Sequence, residues 1–247
     1  MPPVRIGRVK IGDSPRLVAV ITAPQNAAQL AQAVASGADI AELRLDYMSS
    51  MPEDRIVQAV RRAVQAGRLP LIATIRTPRE GGAGRDGVAA DEKRREALFK
   101  AIIPFVQAVD VELSSPILSE VADAGHKQGI PVIVSYHHFH STPSLSRLKS
   151  LAMLCKAKGG DVAKIITTAK TPIEMIRLLS LLHERPCHPL AAFAMGKHAL
   201  LSRLMAFFFQ SSLLYGTLPG GRSHPAPAPG IPSLAELKAV FKQFRLP

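Results

Sequence analysis

The chain has 247 residues, 47% of them hydrophobic and 20% charged, which is the composition of a globular protein and excludes a disordered one. The formal net charge is +12, but the basic residues are scattered, tryptophan is absent and tyrosine is scarce, so we expect no nucleic-acid partner and favour a small anionic substrate. Neither a signal peptide nor a membrane span is predicted, because the N-terminus has no continuous apolar region and the apolar stretch 199–215 is interrupted by Arg203 and Gln210.

Strands and helices are predicted to alternate along the whole chain. Short apolar runs rich in β-branched residues indicate strands, and apolar residues at helical spacing indicate helices. The eight predicted strands are residues 16–22, 38–46, 69–76, 108–113, 130–136, 161–168, 189–193 and 213–215. The helices that follow them are predicted at 25–36, 52–66, 91–103, 116–128, 144–157, from 171 onwards, at 199–209 and at 233–244, the sixth opening with the capping box Thr171-Pro-Ile-Glu174.

This alternation predicts the fold class. Eight strand–helix units with short loops and no break in composition predict a single-domain α/β protein, a (β/α)8 TIM barrel over residues 1–247. The competing fold is an open, doubly wound sheet. It is disfavoured because no Gly-x-Gly-x-x-Gly turn follows the first strand.

The sixth predicted strand carries a lysine in its middle. In Asp161-Val-Ala-Lys-Ile-Ile-Thr-Thr168, Lys164 lies among apolar residues, where desolvation penalises its ammonium form. One interpretation is structural: the side chain reaches the rim of the sheet or pairs with a carboxylate. The other is chemical: an amine whose pKa is lowered by burial and basic neighbours attacks a carbonyl and forms a Schiff base. The strand alone leaves both interpretations open.

Polar side chains gather at the carboxyl ends of the predicted strands, where barrel enzymes carry their active sites. They are Glu42, Arg44, Asp46, Arg76, Glu80, Asp110, Glu112, His137, Lys164 and Arg203. Because Glu42, Arg44 and Asp46 alternate, we expect them on one face of the second strand, pointing into the barrel. Each residue alone would suit a structural ion pair, but their convergence predicts a site for an anion with several hydroxyl groups.

Six segments, in order along the chain, resemble a known family. They are Glu42-Leu-Arg-Leu-Asp46, Thr74-Ile-Arg-Thr-Pro-Arg-Glu-Gly-Gly82, Val109-Asp-Val-Glu-Leu113, Val132-Ile-Val-Ser-Tyr-His-His138, Val162-Ala-Lys-Ile165, and Met195-Gly196 with Ser202-Arg203. Together they resemble type I 3-dehydroquinate dehydratase, the Schiff-base-forming hydro-lyase of the shikimate pathway. The resemblance runs from about the first strand to the last helix. It implies a cytoplasmic homodimer that converts 3-dehydroquinate to 3-dehydroshikimate.

The resemblance also implies a role for each candidate residue. Lys164 would attack the ring ketone and hold the substrate as an iminium, which acidifies the neighbouring carbon. His137 would act as general base and then general acid, with Glu80 assisting its proton transfers and Asp110 orienting its ring. The substrate-binding residues would be Arg203, gripping the carboxylate bidentately, and Glu42, Arg44 and Arg76, holding the ring hydroxyl groups.

The main departure from the family pattern lies in residues 219–232, a Pro/Gly-rich loop before the last helix that we expect to act as a lid. The family usually ends this loop Ser-x-Pro-Gly-Gln and binds substrate through the serine and the glutamine, whereas Pro227 and Ile231 stand at those positions here. Ser223 is a nearby hydroxyl that could bind substrate instead. Two alternatives therefore stay open: another lysine-dependent lyase of the class I aldolase type, and a catalytically impaired barrel retained for binding.

Neither a metal nor a cofactor is expected. His137, His138 and His140 suggest a metal site, but neighbours on an extended segment face opposite sides and no Asp or Glu lies among them. Cys155 and Cys187 match no metal-binding spacing and no disulfide framework, which favours a reducing compartment.

Overall fold

Eight parallel strands form one curved sheet in which neighbouring strands follow chain order. The computed structural model describes residues 3–23, 27–83, 86–218 and 227–244. The eight strands are β3 (Arg16–Ile21), β4 (Ile40–Arg44), β5 (Leu71–Thr74), β6 (Ala108–Glu112), β7 (Val132–His138), β8 (Val162–Thr168), β9 (Leu190–Met195) and β10 (Leu213–Thr217). They are preceded by an antiparallel hairpin of β1 (Arg5–Ile6) and β2 (Val9–Lys10), which was not predicted because two-residue strands leave no periodic pattern.

Eight α-helices accompany these strands in the described residues. They are α1 (Ala27–Ala35), α2 (Glu53–Gln65), α3 (Glu92–Ile102), α4 (Leu118–Lys127), α5 (Leu145–Ala157), α6 (Pro172–Glu184), α7 (Ala199–Phe208) and α8 (Leu234–Gln243). The predicted capping box at α6 is present, since the Thr171 hydroxyl accepts from the Glu174 N–H and the Glu174 carboxylate accepts from the Thr171 N–H. The alternation confirms the predicted (β/α)8 barrel. In the described part of the chain, no helix combines the length and the apolar character that crossing a membrane requires.

The barrel closes between β9 and β10 through a backbone hydrogen bond and several hydrogen bonds of side chains. The sheet order is β10-β3-β4-β5-β6-β7-β8-β9, so these two strands are its edges. At one end of the seam, the Ser212 N–H donates to the Leu190 carbonyl (2.9 Å), and the Ser212 hydroxyl accepts from the Leu190 N–H (3.1 Å). At the other end, Arg203 of α7 donates to the carbonyls of Tyr215 (2.8 Å) and Ala194 (3.0 Å). Arg203 thus joins the carboxyl-terminal halves of the two edge strands.

The barrel interior is apolar except toward the carboxyl ends of its strands. All five residues of β6 and all six of β9 are buried, as expected for strands covered on both faces. Six buried charged side chains lie near the middle of a strand, at its carboxyl end or just after it; they are Glu42, Arg44, Arg76, Asp110, Glu112 and Lys164. Because all eight strands run in parallel, these side chains converge at one mouth of the barrel.

We expected Glu42, Arg44 and Asp46 on one face of the second strand of the barrel, and this expectation is wrong for Asp46. The strand β4 ends at Arg44, and Leu45–Met48 form a 3-10 turn, so Asp46 does not share a strand face with Glu42. Instead, Asp46 accepts two hydrogen bonds from the Arg44 guanidinium (2.9 and 2.8 Å) and one from the Ala83 N–H (2.9 Å). Its carboxylate therefore ties the loop after β5 to the end of β4.

Candidate active site

A cavity opens at the carboxyl ends of the barrel strands. Its wall contains seven of the predicted site residues, which are Glu42, Arg44, Arg76, Glu80, His137, Lys164 and Arg203. Apolar side chains complete the wall, among them Phe193, Met195 and Ile231. The structure therefore brings these seven residues together. Asp110 is buried beside the cavity without lining it, and Ser223 lies outside the described residues.

Lys164 is held between two carboxylates. It lies on β8 and is only 4% exposed. Its Nζ donates to Asp110 Oδ2 at 2.8 Å and to Glu42 Oε1 at 3.4 Å, and it lies 4.0 Å from the centroid of the Tyr215 ring. The two carboxylates and the aromatic face stabilise an ammonium ion.

Asp110 contacts Lys164 instead of the histidine that we expected it to orient. Its Oδ1 accepts from Arg76 Nη2 and Ser135 Oγ, both at 2.7 Å. Burial opposes ionisation of this carboxyl, but the charges of Arg76 and Lys164 outweigh that effect and hold its pKa well below its usual range. No hydrogen bond within the described residues joins Asp110 to His137. The hydrogen bonds of Asp110 go to the amine, Arg76 and Ser135, so the expected contact with His137 is not seen here.

His137 is oriented by Glu80. The His137 N–H donates to Glu80 Oε2 at 3.1 Å, the imidazole Nδ1 lies 3.0 Å from the same oxygen, and the Ser114 hydroxyl donates to Glu80 Oε1 at 2.8 Å. A carboxylate at Nδ1 keeps the proton on that nitrogen, which leaves Nε2 as the basic atom. Burial and the charge of Arg76 lower the pKa of His137, although Glu80 opposes the shift. The ring is therefore neutral, and able to act as a base, near neutral pH.

A buried chain of ion pairs holds Arg76 in the cavity wall. Arg76 Nη1 lies 3.3 Å from Glu112 Oε1, and Arg95 Nη2 donates to Glu112 Oε2 at 2.6 Å. Arg95 is fully buried and also donates to the Ile75 carbonyl from Nε and Nη2. Since each charge in this chain has an opposite charge beside it, the guanidinium of Arg76 is fixed before any ligand arrives.

Arg95 was not among the predicted site residues. In the sequence it belongs to the run Lys93-Arg94-Arg95, which we counted among the scattered basic residues. Helical spacing could have identified it. Arg95 lies three, four and seven residues before the buried side chains of Leu98, Phe99 and Ile102, and so shares their face of α3.

The described part of the lid lies over the cavity. The Pro227 carbonyl accepts from Arg44 Nη1 at 3.3 Å, and the Pro229 carbonyl accepts from the Gly196 N–H at 2.8 Å. The side chain of Ile231 contributes to the cavity wall. Where the family pattern has a serine and a glutamine, this lid therefore presents a proline and an isoleucine to the cavity.

Arg203 is a buried cation without a carboxylate partner in the described ranges. Its Nη1 donates to the carbonyls of Ala194 and Ala199 (3.0 Å each), its Nε donates to the Tyr215 carbonyl, and its guanidinium carbon lies 4.2 Å from the Phe193 ring centroid. Burial lowers its pKa to about 9. These bonds leave Nη2 as the nitrogen with donors to spare, so the expected bidentate grip through two nitrogens does not fit this arrangement. A buried positive charge on the cavity wall still favours an anionic ligand.

His138, at the end of β7, and His140, just beyond it, have structural contacts. His138 Nδ1 lies 2.8 Å from the Ser141 carbonyl, and its ring packs against those of Tyr136 and His140. Among the residues that the structure describes, no group of three His, Cys, Asp or Glu side chains has the arrangement of a metal site. The cavity thus offers an amine, a base oriented by a carboxylate, and a buried guanidinium.

Comparisons with known proteins point to one family. The profile of a family described as type I 3-dehydroquinase matches residues 17–246. A 3-dehydroquinate dehydratase of Enterococcus faecalis is 29% identical over 258 residues, covering 99% of this chain and 98% of the relative. The crystal structure of 3-dehydroquinate dehydratase from Geobacillus kaustophilus has a TM-score of 0.86 at 22% identity, covering 98% of this chain and 96% of that one. The corresponding structure from Aquifex aeolicus has a TM-score of 0.78 at 28% identity, covering 93% and 98%.

Proposed function

The chain belongs to the type I 3-dehydroquinase family, and we propose that it dehydrates 3-dehydroquinate to 3-dehydroshikimate through a Schiff base on Lys164. The family match over residues 17–246 supports the reaction. One observation carries its assignment to this cavity: a buried lysine shares the wall with a histidine oriented by a carboxylate and with an arginine that has no carboxylate partner among the described residues.

Formation of the Schiff base falls to Lys164 and the two carboxylates beside it. Asp110 and Glu42 hold the Nζ of Lys164 in place, one of its protons passes to the ketone oxygen, and the amine adds to the ketone carbon. A C–N bond forms as the C–O bond is lost. Two of the three ammonium protons leave with the oxygen as water, and the third stays on the iminium nitrogen.

The elimination that follows requires a base, which is the proposed role of His137. The iminium draws electrons from the adjacent carbon, and the neutral imidazole removes a proton from that carbon to give an enamine. The enamine then expels the hydroxyl group, which takes the proton back from the imidazolium and leaves as water. Glu80 stabilises the imidazolium between these two transfers. Water finally hydrolyses the iminium and restores the amine.

Substrate binding is assigned to the charged groups around Lys164. The carboxylate of the substrate pairs with Arg203 through Nη2, since the other guanidinium nitrogens are bonded to backbone carbonyls. The ring hydroxyl groups bind Glu42, Arg44 and Arg76, which line the cavity. Asp110 acts behind the wall by holding the amine, which differs from the role that the resemblance implied.

Borohydride trapping tests the proposal. Sodium borohydride reduces an iminium to a stable secondary amine, so incubation with 3-dehydroquinate and borohydride should add the reduced ligand to the protein and inactivate it. Intact mass measures the adduct, peptide mapping locates it, and the absorbance of the conjugated enone product measures turnover. Protein that gains no adduct and shows no turnover would contradict the proposal and support a barrel retained for binding.

The choice of substrate distinguishes the proposed dehydratase from the alternative enzyme, a lyase of the class I aldolase type. A lysine-dependent lyase of the aldolase type would also be trapped by borohydride, but with a sugar phosphate and with carbon–carbon cleavage. The family match disfavours it. Turnover of 3-dehydroquinate, with no cleavage of sugar phosphates by the same preparation, would exclude the aldolase.

The lid leads to a prediction for Ile231→Gln. Ile231 lines the cavity and offers no side-chain donor, so restoring an amide at this position should add one hydrogen bond to a substrate oxygen. We expect the KM for 3-dehydroquinate to fall by up to about tenfold, the effect of one neutral hydrogen bond. Steady-state kinetics measure it, with Ile231→Leu as an apolar control. An unchanged KM in the glutamine variant would mean that Ile231 only packs, and Ser223→Ala would then test the other candidate donor.

We further propose that the chain forms one domain, acts in the cytoplasm and assembles as a homodimer. The free cysteines Cys155 and Cys187 are consistent with a reducing compartment.

We assign the dimer interface to exposed apolar side chains on the helices α5 to α7, which we call the α5–α7 face. They are Met153, Ile173, Ile176 and Leu201, exposed by 51%, 64%, 54% and 47%. Such a cluster on neighbouring helices would favour association with a second copy.

The dimer assignment predicts the behaviour of Ile176→Glu. A carboxylate in the centre of an apolar interface must be desolvated without a partner, so this variant should be monomeric at micromolar concentration. Light scattering coupled to size-exclusion chromatography measures the mass. Phe244→Glu, at an equally exposed apolar residue at the end of α8, should leave the dimer intact. A dimer that persists in Ile176→Glu would move the interface elsewhere.

A further inference from the structure

The hydroxyl group of Tyr215 is buried at the cavity and has no hydrogen-bond partner in the described residues. Tyr215 is 3% exposed and lines the cavity, and its Oη is one of two buried side-chain polar atoms in these residues without a partner. Buried hydroxyl groups are nearly always hydrogen-bonded, because an unpaired one destabilises the fold. A phenol kept unpaired at an active site therefore suggests a partner that arrives with the ligand.

The ring of Tyr215 is fixed beside the reactive amine. Its centroid lies 4.0 Å from Lys164 Nζ and 5.9 Å from the Phe193 ring centroid. The Tyr215 carbonyl accepts from Arg203 Nε at 2.8 Å, which holds the backbone of β10 at this residue. The ring of Tyr215 thus belongs to the same wall as the atom that attacks the substrate.

The hydroxyl keeps its proton and has no acceptor for it among the residues that the structure describes. Burial, together with the negative charges of Glu42 and Asp110, raises the pKa of Tyr215 well above its usual value. Neither carboxylate accepts from the phenol: Glu42 accepts from Thr74 and Lys164 at Oε1, and Asp110 accepts from Arg76, Ser135 and Lys164. The Tyr215 hydroxyl is therefore a hydrogen-bond donor that can bind an acceptor on a ligand.

We propose that the Tyr215 hydroxyl donates a hydrogen bond to the oxygen of the ketone that Lys164 attacks. The inference rests on the proposed function and adds a catalytic residue to it. As the C–N bond forms, the π electrons of the carbonyl move onto this oxygen, and a donor aimed at the developing charge lowers the barrier. The two protons that convert the oxygen into water come from the lysine, so the phenol stays protonated throughout. The ring face then lies beside the iminium cation.

The variant Tyr215→Phe removes the hydroxyl and keeps the aromatic ring. If the hydroxyl acts in catalysis, its loss should slow adduct formation and lower kcat/KM by about five- to tenfold, the effect of one hydrogen bond. Since imine formation would then limit turnover more strongly, the kinetic isotope effect for substrate deuterated at the carbon that loses its proton should decrease. The unliganded variant should unfold at an equal or higher temperature, because an unpaired buried hydroxyl has been removed.

The experiment is quenched-flow borohydride trapping, read by intact mass, with parallel thermal unfolding. Tyr136→Phe is the matched control, because Tyr136 lies next to His137 but does not line the cavity; it should trap at the wild-type rate. Tyr215→Phe with wild-type trapping and isotope effect would overturn the inference while leaving the proposed function intact. A variant that is both slower and less stable would assign the hydroxyl to the fold and also overturn it. Wild-type protein without an adduct would overturn both proposals.

Discussion

Lys164→Ala is expected to abolish both turnover of 3-dehydroquinate and covalent trapping. The methyl group has no nucleophile, and the neighbouring side chains in the cavity are carboxylates, a phenol, an imidazole and guanidinium groups, none of which can form an imine. Activity should fall to the background of the assay, the largest effect expected of any single change in this chain. Intact mass after borohydride treatment and product absorbance measure the two losses.

One further variant separates the charge of Lys164 from its chemistry, and a second serves as a control. Lys164→Arg keeps a cation between Asp110 and Glu42, so it should preserve the ion pairs and still be inactive, since guanidinium stays protonated. Lys170→Ala removes an exposed lysine just beyond β8 and should be trapped like the wild type. Thermal unfolding should report a loss of stability in Lys164→Ala, because two buried carboxylates lose a partner. An adduct in either Lys164 variant would contradict the assignment.

His137→Ala should separate Schiff-base formation from elimination. The amine and its carboxylates are untouched, so the adduct should accumulate, whereas proton abstraction should slow by roughly 10²–10⁴-fold, the usual contribution of a general base. Single-turnover trapping measures the adduct, and kcat measures the elimination. His138→Ala is the control, because its ring faces the Ser141 carbonyl and is not part of the cavity wall. If His138→Ala lost activity and His137→Ala kept it, the base would be misassigned.

The fold could be predicted almost completely from the sequence. The spacing of hydrophobic residues and the turn residues are local signals, and each of the eight strand–helix units repeats them. Errors in the predicted ends of single elements therefore did not change the predicted topology. The strand that holds His137 illustrates this tolerance. It was predicted to end at residue 136 and ends at His138, yet the histidine still reaches the cavity.

The identity of the cavity residues could also be inferred, but their partners could not. Asp110 was expected to orient His137 and instead contacts Lys164, while Glu80 holds the histidine. Both carboxylates lie within the same mouth, and differences of a few ångströms decide which cation each one binds. Strand order and alternation specify no such distances. The partners of Asp46 were unpredictable for the same reason, since they depend on a turn that ends β4 early.

The two tasks of Arg203 have an evolutionary consequence. The same guanidinium joins the edge strands of the barrel and is proposed to bind the carboxylate of the substrate, and only a planar group with five donors can do both. Selection for a closed barrel would therefore retain this arginine even in a descendant that had lost its activity. A preserved arginine at the mouth of a related barrel is thus poor evidence of catalysis, whereas a preserved lysine at the position of Lys164, which is costly to bury, is good evidence. Functional inference among such relatives should rest on the lysine.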